Sequence, residues 1–308
     1  MSKSINKPAA ANKLAKSLHE ALFLSVTKKA RTDGNGNAAS VAISKSGKSY
    51  FGGKAESDTN LLDVTSEQTA LLIAVQHRDF QIVEVATLID STKPIISPLA
   101  LKVMADFANR TGTKIAYSVL DAEGTTVFKV KNVLDAIPFY HPEPSDLKLK
   151  KVAPKANWAK VAKNSKNTDE AAIAQALKKY ALKGLELAFT TYQGASSYGA
   201  AVLTESGKIF YSGQYSSPDK RLMVHAEMGA ILAALMAKEE KLTHLAVVSD
   251  KFEAEPCQTC GPCRQFITEL SKRYGWKLQV YCFAKKQPVY NTYSIETLLP
   301  NSWGSKKW

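Results

Sequence analysis

Cysteine is scarce in this chain of 308 residues and is confined to one part of it. Four cysteines are present, and three of them fall between Cys257 and Cys263. So few thiols cannot build a disulfide-stapled fold, and a local cluster of them is typical of metal binding or catalysis in a reducing compartment. The cysteines therefore direct attention to one short segment.

Long hydrophobic runs are also lacking. Lysines interrupt the opening residues 1–26, and no stretch is apolar over the length that a membrane span needs. We therefore expect no signal peptide and no membrane segment, and a cytoplasmic protein. Apolar residues nevertheless make up 45% of the chain, which is enough for globular domains with ordinary cores.

Acidic residues are in deficit, with 28 Asp and Glu against 41 Lys and Arg, which gives a formal net charge of +13. Such a balance permits contact with nucleic acid or other anions. The lysines concentrate, however, in the opening residues and between Lys148 and Lys166, where they are typical of a solvated surface. Charge alone therefore does not favour a nucleic-acid partner.

An internal repeat is the main feature of what the chain does contain. The segment SVAISKSGKSYFGG at 40–53 matches AAVLTESGKIFYSG at 200–213. At the same offset, TSEQTALLIAV at 65–75 matches HAEMGAILAAL at 225–235. Several elements that keep their order and spacing predict two copies of one domain.

Each copy is predicted to interleave helices with strands. An opening helix is expected at Lys13–Lys29 in the first copy and at Thr168–Leu185 in the second. In the second copy two β-runs joined at a Ser-Gly turn follow, then a helix that begins near His225. A buried-type strand, a helix from the cysteines to Gly275 and a further strand complete it. The alternation indicates α/β domains.

The repeat also sets the expected domain boundaries. Residues 1–145 are assigned to the first domain and residues 168–308 to the second. The stretch 146–167 is rich in Lys and Pro and is interpreted as a linker.

One constellation in the second copy carries chemistry. His225 lies two residues before Glu227, and Cys257, Cys260 and Cys263 follow farther along. Zinc is held tetrahedrally by thiolates and imidazole, and the dipole at a helix start favours thiolate over thiol. The order H-x-E…P-C-x-x-C is the pattern of zinc deaminases, in which the His binds metal and the Glu moves protons. A closed structural site that includes Cys257 is the alternative.

With the segments around them, these residues resemble the cytidine deaminase family. SYGAAVLTESGKIFYSG, HAE, CGPCRQFITEL and IETLLPNSW match in order across nearly the whole second half. The resemblance implies two tandem three-layer α/β/α domains, each with a mixed central sheet. It also implies a hydrolase acting on C–N bonds of cyclic amidines, with Zn²⁺ as its cofactor. The implied zinc ligands are His225, Cys260 and Cys263, and the implied proton shuttle is Glu227.

The substrate-binding features of the family are altered here. Its ribose-binding Asn-x-Glu corresponds to Tyr215 and Ser217, and Ser196 replaces the aromatic residue that stacks on the base. Gln214 or Ser217 are candidates for the ribose contact. The candidates for the stacking aromatic are two nearby tyrosines, Tyr192 and Tyr198. Arg264, next to Cys263, is a candidate hydrogen-bond donor to a thiolate.

The first copy has lost the metal ligands. Thr65 stands where the second copy has His225, Glu67 still matches Glu227, and no cysteine is present in any register. Without imidazole or thiolate, zinc has no ligands there. The first domain is therefore predicted to be a degenerate, non-catalytic copy that supports the second.

We accordingly predict zinc-dependent hydrolytic deamination of cytidine or deoxycytidine, or of a close cytosine nucleoside analogue, with release of ammonia. Such a reaction belongs to pyrimidine salvage. Members of the family assemble as tetramers of single domains or dimers of tandem chains, so the resemblance implies a homodimer. Two alternatives stay open. One is deamination of cytosine in RNA or DNA, and the other is a non-enzymatic zinc-stabilised scaffold.

Overall fold

The computed structural model describes residues 37–59, 62–137, 159–160, 169–190 and 196–303. The helix expected at Lys13–Lys29, most of the expected linker and Tyr192 lie outside these residues. The chain forms two units, and the boundary between them follows residue 140. Two earlier segments, 56–64 and 72–80, group with the second unit. The domain boundaries derived from the repeat stay a prediction.

Unit 1 is built on a five-stranded mixed sheet. Its strands are β1 (Ala38–Ser44), β2 (Ser49–Gly53), β3 (Ile82–Ile89), β4 (Ala116–Leu120) and β5 (Thr126–Val130). They lie in the order β2-β1-β3-β4-β5. Only the β3–β4 pair is parallel among them.

Two helices accompany this sheet, α1 (Ser66–Gln76), which begins in unit 1, and α2 (Pro98–Thr111). The ends of α2 follow from its sequence. Ser97 caps the first turn by accepting a hydrogen bond from the Ala100 N–H, and Pro98 occupies a position where no N–H is needed. Gly112 ends the helix in the left-handed conformation at φ 67°.

Unit 2 repeats this strand order and adds one edge strand. Its strands are β6 (Ala159–Lys160), β7 (Tyr198–Thr204), β8 (Lys208–Gly213), β9 (Leu242–Ser249), β10 (Gln279–Phe283) and β11 (Tyr290–Ser294). They lie in the order β11-β10-β9-β7-β8-β6, and only β9 and β10 pair in parallel among them. The helices are α3 (Glu170–Glu186), α4 (Ala226–Met236), α5 (Gly261–Tyr274) and α6 (Ile295–Leu298).

Helices cover both faces of the unit 2 sheet. On one face, α3 packs on alternate strand residues, which are Ala201, Ile209, Ala246, Val248, Tyr281 and Phe283. Successive strand residues point to opposite faces, so the residues between them face the other side. Gly229 of α4 lies against one of these, Ser212 of β8, which places α4 on the second face. The predicted mixed α/β architecture with two sheets is confirmed.

The two sheets share details beyond strand order. In unit 1 the pairing of β1 with β3 shifts register at Ile43/Ser44, and in unit 2 the pairing of β7 with β9 shifts at Leu203/Thr204. These shifts occupy corresponding positions of the sequence repeat. Separately, no helix among the described residues is long and apolar enough to cross a membrane.

Candidate metal centre

Two helix starts bring the predicted metal ligands together. His225 is the N-cap of α4 and Cys260 is the N-cap of α5, and neither side chain caps its own helix. Cys263 lies in the first turn of α5 and is fully buried. Helices normally begin with Ser, Thr, Asp or Asn, whose side chains bond the free N–H groups. Here the side chains at both helix starts are directed to each other instead.

The donor atoms are close enough to share one metal ion. The Nδ1 atom of His225 lies 3.3 Å from the Sγ atom of Cys260. The donor atoms of His225, Cys260 and Cys263 all lie within 4.8 Å of one another. Around a tetrahedral zinc, with Zn–S about 2.3 Å and Zn–N about 2.0 Å, such atoms are roughly 3.5 to 3.8 Å apart. The donor set therefore fits zinc with small adjustments.

The described residues add no fourth His, Cys, Asp or Glu to this group. Structural zinc sites are usually closed by four protein ligands, whereas catalytic sites keep three and leave one position open. A group of three is therefore the arrangement that a reacting molecule can approach.

One of the two thiols is already a thiolate at neutral pH. A hydrogen bond from Cys263 lowers the pKa of Cys260 to about 4, against the effect of burial, and the neighbouring His225 helps to lower it. Burial raises the pKa of Cys263 well above its usual range, and the Cys260 thiolate adds to this shift. Metal binding would therefore have to displace a proton from Cys263.

The imidazole and the nearby carboxyl group respond to the same charges. Burial lowers the pKa of His225, but the hydrogen bond and charge of Cys260 outweigh this effect, so the net shift is upward. Glu227 is 3% exposed, and burial raises the pKa of its carboxyl group. A carboxyl group with a raised pKa can both accept and return a proton near neutral pH.

Cys257 lies outside the group. Its thiol donates a hydrogen bond to the carbonyl oxygen of Val247 at 3.3 Å, and its backbone N–H bonds to the Phe283 carbonyl. Burial also raises the pKa of this thiol above its usual range. The surplus cysteine thus packs against the sheet as a neutral residue, and its position does not support a site closed by Cys257.

The residues that replace the family's ribose contact are buried. Tyr215 and Ser217 are 2% and 1% exposed, and the Tyr215 ring packs on Phe189 with centroids 5.2 Å apart. An antiparallel bridge joins Tyr215 to Val224, and this register places Gln214 opposite His225. Gln214 is thus the candidate next to this bridge on the side of His225, and it is also buried, at 6% exposure.

Tyr198 lies near the group as well. It is half-buried, and burial raises its pKa, to which the charges of Glu227 and Cys260 also contribute. An effect of these charges requires the Tyr198 hydroxyl to be close to them. Sequence reasoning had named this residue only as a substitute for a missing aromatic.

Two basic residues complete the surroundings. Arg264, expected to bond a thiolate, instead donates from Nε to the Thr259 carbonyl at 2.9 Å, and so braces the loop that precedes Cys260. The charge of Lys220 reaches His225 and opposes the upward shift of its pKa. Sequence reasoning missed Lys220, because a lysine five positions before a histidine carries no recognisable motif.

The corresponding positions of unit 1 hold no such group. Thr65 and Gln68 form reciprocal bonds at the start of α1, with Gln68 N–H donating to Thr65 Oγ1 at 3.2 Å and Thr65 N–H to Gln68 Oε1 at 2.9 Å. Glu67 is buried and accepts hydrogen bonds from Thr87 at 2.7 Å and from Tyr117 at 2.8 Å. At these positions of unit 1, the Thr65 side chain caps a helix and the Glu67 side chain bonds hydroxyl groups, instead of serving a metal site.

Residues 168–275 match the family model described as "Cytidine and deoxycytidylate deaminase zinc-binding region". The chain is 25% identical over 150 residues to a cytidine deaminase of Mannheimia succiniciproducens, covering 45% of this chain and 46% of that protein. It is 28% identical over 110 residues to a cytidine deaminase of Actinobacillus pleuropneumoniae serotype 5b, covering 35% and 32%. The chain thus spans less than half the length of these curated relatives.

Solved structures give similar matches. The cytidine deaminase from Burkholderia pseudomallei is 30% identical, with 42% of this chain and 98% of that chain covered and a TM-score of 0.38. The cytidine deaminase from Mycobacterium tuberculosis is 23% identical, with 45% and 100% covered and a TM-score of 0.36.

The matched region and the His/Cys/Cys group together define a zinc-binding α/β domain. Residues 168–275 match the zinc-binding region of cytidine and deoxycytidylate deaminases, and the curated relatives that resemble the chain are cytidine deaminases.

Proposed function

We propose that this chain is a hydrolase that deaminates cytidine or deoxycytidine, or a close cytosine nucleoside analogue, with zinc as cofactor. The observation that carries the proposal is the placement of a three-residue donor group beside the buried carboxyl group of Glu227. Three ligands without a fourth, next to an acid with a raised pKa, are the parts that hydrolysis of a C–N bond requires.

The donor group sets the cofactor chemistry. His225, Cys260 and Cys263 would hold Zn²⁺, which when bound lowers the pKa of a water molecule toward neutrality and makes hydroxide available. Arg264 would keep the loop before Cys260 in place through its bonds to Thr259. Holding the ligands in place in this way is the usual task of groups behind a metal site.

Glu227 would move the protons. Its carboxylate accepts a proton from the attacking water and delivers it to N3 of the cytosine ring while oxygen bonds to C4. Glu227 would then carry the proton of the new hydroxyl group at C4 to the amino group, so that the C4–N bond breaks, a C4=O carbonyl forms and ammonia leaves. Because Glu227 follows His225 by two residues on α4, the proton carrier and the metal share one rigid support.

The sugar contact would differ from that of the family. Tyr215, Ser217 and Gln214 are all buried in the structure, so burial does not distinguish among them. We propose that Gln214 makes this contact, because its backbone lies opposite His225 and its amide can both donate and accept hydrogen bonds. Tyr198 would then pack against the base.

The rest of the chain would support this site. We propose that residues 1–145 form a degenerate copy joined by the linker 146–167 to the catalytic domain 168–308. The shared strand plan and the absence of cysteine from the first part support this. By resemblance we also propose a homodimer in the cytoplasm that acts on free nucleosides rather than on nucleic acid.

Ammonia release from a substrate panel tests the function. The panel comprises cytidine, deoxycytidine, their monophosphates and single-stranded cytosine-containing oligonucleotides. We expect the wild-type chain to release ammonia from the free nucleosides. Glu227→Gln should lower this rate at least about a hundredfold, the usual size of a general acid–base contribution, while zinc content stays unchanged.

Glu205→Gln serves as the matched control, because its side chain is exposed and pairs only at the surface with Lys241. It should keep the wild-type rate. Turnover of no free cytosine compound would overturn the nucleoside proposal, and turnover of oligonucleotides alone would favour the nucleic-acid alternative. A wild-type rate in Glu227→Gln would remove Glu227 from the mechanism.

A further inference from the structure

A basic groove lies on unit 2, on the face of the sheet that α3 covers. Its volume is about 430 Å³, and it is open to solvent over most of its surface. Four lysines line it together with a glutamine and a leucine, which are Lys178, Lys179, Lys285, Lys286, Gln175 and Leu182. The metal centre belongs to α4 and α5 on the opposite face, so the groove is a separate site.

Two elements hold the lysines in place. Gln175, Lys178, Lys179 and Leu182 recur at helical spacing and so share one face of α3. The other two lysines lie in the turn that joins β10 to β11. The backbone N–H groups of Lys285 and Lys286 bond to the carbonyl groups of Phe252 and Glu253, each at 2.8 Å. The groove is thus built on a regular helix and an anchored turn.

Lys178 forms the floor of the groove. It is only 9% exposed, which is unusual for a lysine, and burial lowers its pKa. Its Nζ atom donates a hydrogen bond to the Gln287 carbonyl at 2.5 Å and lies 5.6 Å from the centroid of the Phe283 ring. An ammonium group has three N–H donors, so it retains capacity for an anion.

The negative charge near these lysines is smaller than the positive charge. Glu253 pairs with Lys286 at 2.7 Å, and the charge of Lys285 also acts on Glu253. Among the described residues, this is the carboxylate that pairs with the groove lysines. Four ammonium groups around one concave surface create a positive potential that an anion would relieve.

We propose that this groove binds a small ligand with two or three linked phosphates, such as the phosphate chain of a free nucleotide. Lysine binds phosphate as a point charge, and several linked phosphates match several ammonium groups at once. Gln175 offers an amide for a further hydrogen bond. The proposal goes beyond the deaminase activity and does not depend on it.

Titration calorimetry of the full chain tests the site, with tripolyphosphate and uridine triphosphate as probes. Uridine triphosphate lacks the amino group that the proposed reaction removes. The test variant is Lys179→Gln combined with Lys285→Gln, which leaves buried Lys178 intact. We expect its dissociation constant for both probes to be at least about tenfold higher than that of the wild type, since two charge-assisted contacts are lost.

The control is Lys241→Gln combined with Lys277→Gln, exposed lysines outside the groove that remove the same net charge. It should bind both probes like the wild type. If both double variants bound the probes equally weakly, binding would depend on the total positive charge rather than on the groove, which would overturn the site. Absence of probe binding to the wild type would overturn it as well. An oligothymidine bound more tightly than tripolyphosphate would overturn the assignment to a small ligand. Glu227→Gln should retain binding, which separates this proposal from the proposed function.

Discussion

At the residue scale, one position serves two purposes in the two units. Thr65 caps α1 and exchanges hydrogen bonds with Gln68, whereas His225 begins α4 without capping it. A side chain at a helix start can satisfy the free N–H groups or a metal, and it cannot do both. The choice of threonine or histidine therefore separates a capped helix start from one whose side chain joins the donor group.

The two buried carboxylates differ in the same way. Glu67 is surrounded by hydroxyl groups of Ser40, Thr87 and Tyr117, and the Ser40–Thr87 contact measures 2.7 Å. In unit 2 the strand register puts apolar residues at the corresponding places, which are Ala200, Val247 and Val280. Hydroxyl donors therefore satisfy the carboxylate of Glu67. Glu227 lacks these hydroxyl neighbours on the strands and lies beside the metal-donor group.

This contrast predicts a structural role for Glu67. Thr87 and Tyr117 both donate to Oε1 of Glu67, and Ser66 donates to Oε2 at 3.4 Å, so the N–H₂ group of Glu67→Gln would replace the oxygen that accepts from Ser66. We expect the free energy of unfolding to fall by about 1–3 kcal/mol, the range for an unsatisfied buried polar group. Denaturant unfolding measures it, with exposed Glu123→Gln as control. A loss no larger than that of the control would contradict this role.

Among the residues of the site, the sequence predicted the donor types and their helix starts. It could not decide between the two overlapping C-x-x-C registers, because Cys257, Cys260 and Cys263 are equally spaced. The structure separates them by what each thiol contacts, since Cys257 bonds to the backbone of β9. The burial of Tyr215 could not be predicted from the sequence either, because it depends on packing against Phe189, which is distant in sequence.

At the scale of elements, the close approach of α3 to the sheet depends on glycine. A Cβ atom added to Gly199 of β7 would lie 2.1 Å from the Leu185 nitrogen and 2.2 Å from the Ala181 oxygen. Both contacts are with backbone, which cannot rotate away as a side chain can. The glycine therefore fixes the distance between the helix and the strand.

Gly199→Ala should accordingly push α3 from the sheet. We expect a loss of about 1–3 kcal/mol in the free energy of unfolding, the range for overpacking in a core. Gly261→Ala is the matched control, because a Cβ atom there meets nothing within 4 Å. Thermal unfolding of both zinc-loaded variants gives the comparison, and equal stability of the two would contradict the packing role.

The elements themselves were largely predictable. The helix expected at Thr168–Leu185 is α3, and it begins one residue after Asp169, whose side chain accepts a hydrogen bond from the Ala171 N–H. Capping chemistry and periodicity are local, so the sequence carries them. The last strand and helix, β11 and α6, were not predicted, since polar residues such as Asn291 and Thr292 hide the strand pattern.

At the scale of the whole molecule, each chain offers one group of side chains that could hold a metal among its described residues. All four cysteines fall in unit 2, and three described residues of that unit form the donor group. We expect purified protein to contain one zinc per chain by elemental analysis. Cys260→Ser should lose most of this zinc, because it removes the donor that is already ionised in the metal-free centre.

Cys257→Ser is the matched control for that experiment, since its hydroxyl can still donate to the Val247 carbonyl. It should retain one zinc per chain. Two zinc ions per chain in the wild type would contradict the assignment of a metal-free first unit. Equal zinc loss from both serine variants would contradict the separate roles of the two cysteines.

X-ray absorption at the zinc edge distinguishes an open zinc centre from a closed one, because it counts the atoms bound to the metal. We expect two sulfur atoms at about 2.3 Å and two lighter atoms at about 2.0 Å, of which one is the His225 nitrogen and the other comes from water. A third sulfur would show that Cys257 closes the site, and would contradict an open, catalytic zinc.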